Sequence, residues 1–232
     1  VGYDYDDANI DARNLLRQTL NLGAGTAGFE RVPQMREQTG ADLVIFLRTH
    51  DIEKRGNCGI AFFPNQTNGI YDSSYGVNVM ADGMSSWSIC SDQLMVHEIG
   101  HNLNAGHHNW DPTQYGFSAE ARGYAKIGQF GTVMGSFGTG QPDRFFELDY
   151  FSNPNVQCGG GPCGIPGQAN NVNVINQIKS TVANSQATVS TAPNPPDYSL
   201  VLTDLAGDGV TDDAAEFPFD ANETIDSVGA GV

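Results

Sequence analysis

The sequence predicts an α/β domain whose first half alternates strands with helices and whose second half is irregular. Three observations point there. Apolar runs of strand length alternate with amphipathic stretches of helix length up to about residue 103. Beyond that point Gly, Pro, Asn and aromatic residues dominate with little periodicity. The chain has 232 residues, of which 39% are hydrophobic, enough for one medium domain with its own core and an appendage.

Taken in order, Ala8 to Leu20 carries Ile10, Leu15, Leu16 and Leu20 near one face of a helix. A glycine-rich turn follows, and a second helical pattern runs from about Phe29 to Gln38, stopped by Gly40. Ala41 to Leu47 reads as a buried central strand, because it is a short, unbroken apolar run. Gly59 to Phe63 and Tyr75 to Ala81 read as two more strands. Ser85 to about Leu103 is the longest helical pattern, with Ser85 or Ser86 as its cap and Gly106 just past its end. A last helix is predicted from about Ala169 to Asn184. Residues 1–191 form the predicted domain, 192–197 a stiff Pro-rich linker and 198–232 an acidic tail.

The formal charge of −16 disfavours nucleic acid, which needs clustered Lys and Arg. No stretch approaches the roughly 20 apolar residues that span a bilayer. Four cysteines, none in a CxxC pair, suit two disulfides and an oxidising compartment, with Cys58 paired to Cys90 and Cys158 to Cys163. The alternative is four buried thiols. A secreted protein is expected, any signal peptide or propeptide lying outside this chain.

The chemistry concentrates in His97-Glu98-Ile99-Gly100-His101, continuing to His107. Residues four apart share a helix face, so His97 and His101 can present two imidazoles to one metal ion. Glu98 flanks such an ion without having to ligate it and is placed to take a proton from water there. His107 is too far along to reach the ion from a continuous helix, so the chain must turn back. Asn104 falls where a left-handed backbone is required, which Asn tolerates best after Gly. Three neutral imidazoles with one open position make a catalytic rather than a structural zinc site.

The pattern resembles that of the metzincin metallopeptidases, HExxHxxGxxH followed by a Met-turn. Gly131-Thr-Val-Met134-Gly135 supplies the turn candidate. Within the superfamily the chain looks most like the reprolysin (adamalysin-like) group in its bacterial secreted form. That resemblance rests also on Ala41-Asp-Leu-Val-Ile-Phe, Cys58-Gly-Ile-Ala-Phe and Tyr150-Phe-Ser-Asn-Pro-Asn-Val. It implies a twisted mixed sheet with helices above an irregular lower subdomain, and a first strand and helix that are either missing from this chain or replaced. It also implies one Zn²⁺ held by His97, His101 and His107, with Glu98 as general base and Met134 as the floor beneath the metal. The implied activity is hydrolysis of protein or peptide substrates, the peptide lying antiparallel to the edge strand at Gly59, Ile60 and Ala61. Phe137, Phe145 and Phe146 are candidate walls of a specificity pocket. Two departures stand out: Asn104 replaces the usual Gly, and His108 the usual Asp. Ser136 stands where astacins and serralysins place a Tyr. Other readings are a pappalysin-like branch, or a zinc-binding protein of this fold that does not cut.

The tail segment Asp204-Leu-Ala-Gly-Asp208-Gly209-Val-Thr-Asp212 resembles a thrombospondin type 3 calcium loop, in which carboxylates alternate about a sharp bend. It implies Ca²⁺ at Asp204, Asp208 and Asp212. Ala206, Val228 and Ala230 stand where carboxylates are usual, so the repeat is degenerate. Oligomeric state is not legible.

Overall fold

The computed structural model describes residues 12–14, 16–18, 20, 29, 31–49, 58–64, 71–82, 90, 93–108, 118–126, 129–135 and 146–189. One compact unit runs to Thr188, and a second begins at Val189, the only residue of it described. The acidic tail with Asp204, Asp208 and Asp212, the linker at 192–197, and Ser136, Phe137 and Phe145 lie outside the described residues.

Residues 12–14, 16–18 and 20 are helical, with Leu16 fully buried beneath them. Helix α1 is Val32–Thr39, later than the predicted start because Pro33, lacking a donor N–H, fits only the first turn. The buried Arg36 guanidinium fastens α1 to the chain beyond it, donating to the carbonyls of Ala41, Asp42 and Ser73 at 2.8–3.0 Å.

Strands β1 (Val44–Thr49), β2 (Gly59–Ala61) and β3 (Val77–Asp82) form a mixed sheet in the order β1-β3-β2. β1 runs parallel to β3, pairing Val44 with Val77, and β2 runs antiparallel, pairing Ile60 with Val79. Among the described residues the central strand is therefore β3 and not the Ala41–Leu47 segment. Val77, Asn78, Val79, Met80 and Ala81 are all buried, whereas Leu47 is 63% exposed. An unbroken apolar run signals burial, but it does not say which strand lies innermost.

Helix α2 is Leu94–Asn102, shorter than predicted. Cys90 is not helical; it is bonded to Cys58 at the start of β2, and that cross-link fixes the chain before the helix begins. The second predicted disulfide, Cys158–Cys163, is also present.

The lower half departs from the irregular structure expected of it. A small sheet joins β4 (Ala125–Lys126), β5 (Phe130–Thr132) and β6 (Phe146–Leu148) in that order. β7 (Asn153–Cys158) and β8 (Gly161–Cys163) pair as a hairpin closed by the second disulfide. The strands of two or three residues, β4, β5, β6 and β8, are too short to display a period of two, so the sequence concealed them. Helix α3 (Asn171–Val182) closes the unit, with the Asn170 side chain accepting from the Asn173 N–H as its cap and Val174, Ile178 and Val182 buried.

A three-histidine metal centre

Helix α2 sets His97 and His101 one turn apart on the same buried face. The helix stops at Asn102, and Asn104 adopts φ 66°, the only non-glycine left-handed residue among those described. The Asn104 and Ala105 N–H groups donate back to the carbonyls of His101 and Gly100 at 2.9 and 2.8 Å, closing the turn that the helix end leaves open. The chain reverses and brings His107 under the helix. Its Nε2 stands 2.9 Å from His97 Nε2 and 3.0 Å from His101 Nε2.

Backbone carbonyls choose the tautomers. His97 Nδ1 lies 2.9 Å from the Val133 carbonyl, and His101 Nδ1 lies 2.9 Å from that of Ala105. A carbonyl accepts, so each Nδ1 carries the proton and each Nε2 lone pair faces the point of convergence. Burial first, then the neighbouring imidazole His107, lowers the His97 pKa to about 4. His101 is held well below its ordinary value by burial, then by His97 and His107. Both rings are therefore neutral at pH 7 and free to ligate.

Among the described residues no fourth side chain joins the cluster. Three nitrogens tetrahedrally placed around zinc at 2.0–2.1 Å stand about 3.3–3.4 Å apart, so a slight spreading admits the ion. His108 is not part of the triad: its N–H donates to the Met134 carbonyl, and its half-buried ring is lowered to about 4 by burial and by Arg122. Glu98 is buried beside the triad, and its Oε2 has no hydrogen-bond partner among the described residues, a solvation deficit that a cation and its water would relieve. The donor set fits zinc.

A family model described as "Metallo-peptidase family M12B Reprolysin-like" matches residues 3–108. Residues 3–108 are thus similar to a reprolysin-like metallopeptidase domain, and the three-histidine cluster lies within the match. It is similar to a curated protein of Pseudomonas aeruginosa named "Peptidyl-Asp metalloendopeptidase", at 27% identity over 255 residues, covering 90% of this chain and 41% of the relative. The chain thus spans about two fifths of that relative's length. A solved structure titled "Structure of a chaperone-substrate complex" shares the fold, with a TM-score of 0.52 at 21% identity over 80% of this chain and 26% of the other.

The Met-turn candidate is a single 3-10 turn, Val133–Gly135. Met134 is fully buried, packed with Ala105, Val133, Phe151 and Ile175. Gly100 makes room for it, since a Cβ there would stand 2.8 Å from Met134 Sδ. Gly59 in β2 does the same for Glu98, because a Cβ there would stand 2.5 Å from Oε1 and 2.8 Å from Cδ. The edge strand and the Glu98 carboxyl are therefore in direct contact. Burial raises the Glu98 pKa to about 8, opposed by the positive charge of Arg13.

Several contributors escaped the sequence. The Val133 and Ala105 carbonyls are backbone atoms, to which residue type gives no clue. Asn102 sits next to a ligand in sequence and is completely buried. Its side-chain amide donates to the Phe62, Tyr75 and Val77 carbonyls at 2.9–3.2 Å, and its carbonyl oxygen accepts from Asn78 at 2.8 Å. It locks α2 to β2 and β3, and a polar residue on the buried face of the ligand helix was the available signal. Of the candidate pocket residues only Phe146 falls within a described element, β6, and its side chain is outside the described residues.

Proposed function

We propose that this chain is a zinc-dependent endopeptidase that hydrolyses peptide bonds, with His97, His101 and His107 holding the metal and Glu98 as general base. The observation that carries the reading is the convergence of three Nε2 atoms, two of them on tautomer-fixed rings, beside a buried carboxyl. When bound, zinc supplies Lewis-acid polarisation of a carbonyl and lowers the pKa of a water molecule toward about 7. Glu98 takes the proton of the attacking water and passes it to the departing amine. For that it must start as a carboxylate, and a neighbouring dication favours the charged form against the effect of burial. The Val133 and Ala105 carbonyls keep the two helix imidazoles aimed while the proton moves. Met134 supports them from below as an apolar floor.

Gly59, Ile60 and Ala61 form the peptide-binding edge in this proposal. Backbone pairing there gives affinity with little preference for side chains. The name of the Pseudomonas relative makes aspartyl bonds the first to assay. Substrates are proteins or peptides outside the reducing cytosol, in keeping with the two disulfides. No helix among the described residues is long and apolar enough to cross a membrane. The catalytic domain spans 1–191, and beyond the 192–197 linker the tail at 198–232 offers Asp204, Asp208 and Asp212 to Ca²⁺.

The test is cleavage of casein and of aspartate-containing peptides by the zinc-loaded protein, with a chelator as control. Glu98→Gln is expected to keep its zinc while losing about 10²–10⁴-fold in kcat. Substantial turnover by that variant would remove Glu98 from its role. Zinc binding without turnover by the parent protein would leave the non-cutting zinc protein as the better reading.

A further inference from the structure

The edge of β2 turned away from β3, open among the described residues, is already in use. Ala81 N–H donates to the Cys58 carbonyl at 2.7 Å and Phe62 N–H to the Val77 carbonyl at 3.4 Å, so residues 58 and 62 face β3. Peptide groups alternate in direction along a strand, and those of Gly59 and Ala61 therefore point away from β3, toward the side where a bound peptide would pair. Arg13 reaches that side. Its Nη1 donates to the Ala61 carbonyl at 3.2 Å, and its guanidinium lies 4.0 Å from the centroid of the Phe62 ring.

The contact is anchored one helical turn further on. Arg17 stacks 3.8 Å over Tyr75, and Tyr75 meets Phe62 edge to face at 5.2 Å. Arg13 and Arg17, spaced i and i+4, clasp this aromatic pair, while Leu16 is buried between them in sequence. The N-terminal helical residues are thus seated along the strand edge.

Resting on the reading of β2 as the peptide-binding edge, we propose that Arg13 sets substrate affinity by occupying the Ala61 carbonyl, a contact that an incoming peptide must displace before it can pair there. An arginine donating to a neutral carbonyl makes a charge-assisted bond, stronger than the neutral bond that a peptide N–H would make to the same oxygen. The helix acts as a competitor built into the chain.

The experiment measures a fluorogenic nonapeptide with a central aspartate on the zinc-loaded protein and on Arg13→Ala. It also measures the Kd of the same peptide by anisotropy in the Glu98→Gln background, with and without Arg13→Ala. Arg13→Ala is expected to lower Kd in the Glu98→Gln background by about five- to tenfold, and KM with it, the loss of one charge-assisted competitor. If Arg13 only fastens the helix to the sheet, its removal lowers the melting temperature and leaves KM and Kd unchanged or raised, which overturns the proposal. Should Arg13→Ala fail to fold, Arg13→Met carries the same expectation, because it keeps an unbranched side chain but has no N–H to donate. A parent protein that cleaves while the variants show no gain sinks this inference alone. A parent that neither cleaves nor binds the peptide sinks the peptidase reading with it.

Discussion

The two halves of the unit build the metal centre in different ways. The upper half, from β1 to the end of α2, contributes side chains: His97, His101, Glu98 and the Asn102 clasp. The lower half contributes chiefly backbone and bulk: the Val133 carbonyl that orients His97, the buried Met134 and the turn that carries it. His107 stands at the junction, and its position depends on both. The difference teaches that the chemistry is written in residue identity above and in chain path below. Losses above should be chemical and abrupt, whereas those below should be structural and graded.

The largest effect should come at the junction. His107→Ala is expected to leave dialysed protein with little zinc, measured by atomic emission, because two imidazoles on one helix do not complete the three-ligand set. Unchanged metal content would mean another residue supplies the third nitrogen. In the upper half, Gly59→Ala should displace the Glu98 carboxyl, since the added methyl would stand 2.5 Å from Oε1. A fall in kcat of about tenfold with KM and zinc content little changed is expected if Glu98 must be held within a fraction of an ångström.

In the lower half, Met134→Ala should cost about 2–5 kcal/mol in urea unfolding, the usual range for emptying a fully buried Met site, with zinc retained. If that variant lost its zinc as readily as His107→Ala, the division between the halves would collapse.

The smallest effect is expected in the pH dependence of the metal-free protein. His97 falls from 6.5 to about 4 on folding, and His101 also falls. Between those limits the unfolded chain binds more protons, so stability declines as pH drops below about 6.5, by about 3 kcal/mol for His97 once pH 4 is reached. Glu98 has the opposite sign. Its pKa rises from 4.5 to about 8, so stability declines as pH climbs toward 8. Urea melts should show a maximum near pH 6.5, and Glu98→Gln should abolish the alkaline decline and steepen the acid one.

Much of the site was legible because spacing has geometric consequences. A spacing of four from His97 to His101 means one helix face, and six more to His107 demand a turn that Asn104 can make, as its φ of 66° bears out. The sheet was legible as elements but not as an arrangement. The apolar run near Val44 announced a strand, yet the innermost place went to β3, whose Asn78 is buried with a partner on α2 that no periodicity reveals. The start of α2 was misplaced because a disulfide overrides helical propensity at Cys90. The lower strands and the orienting carbonyls were hidden for one reason: they are fixed by partners distant in sequence.

The Cys58–Cys90 bond spans 32 residues and joins the strand that would hold the peptide to the chain leading into the ligand helix. Closing a ring of that length restricts the unfolded chain by about 3–4 kcal/mol. A thiol-rich surrounding would open the ring and let strand and helix drift apart wherever glutathione is plentiful.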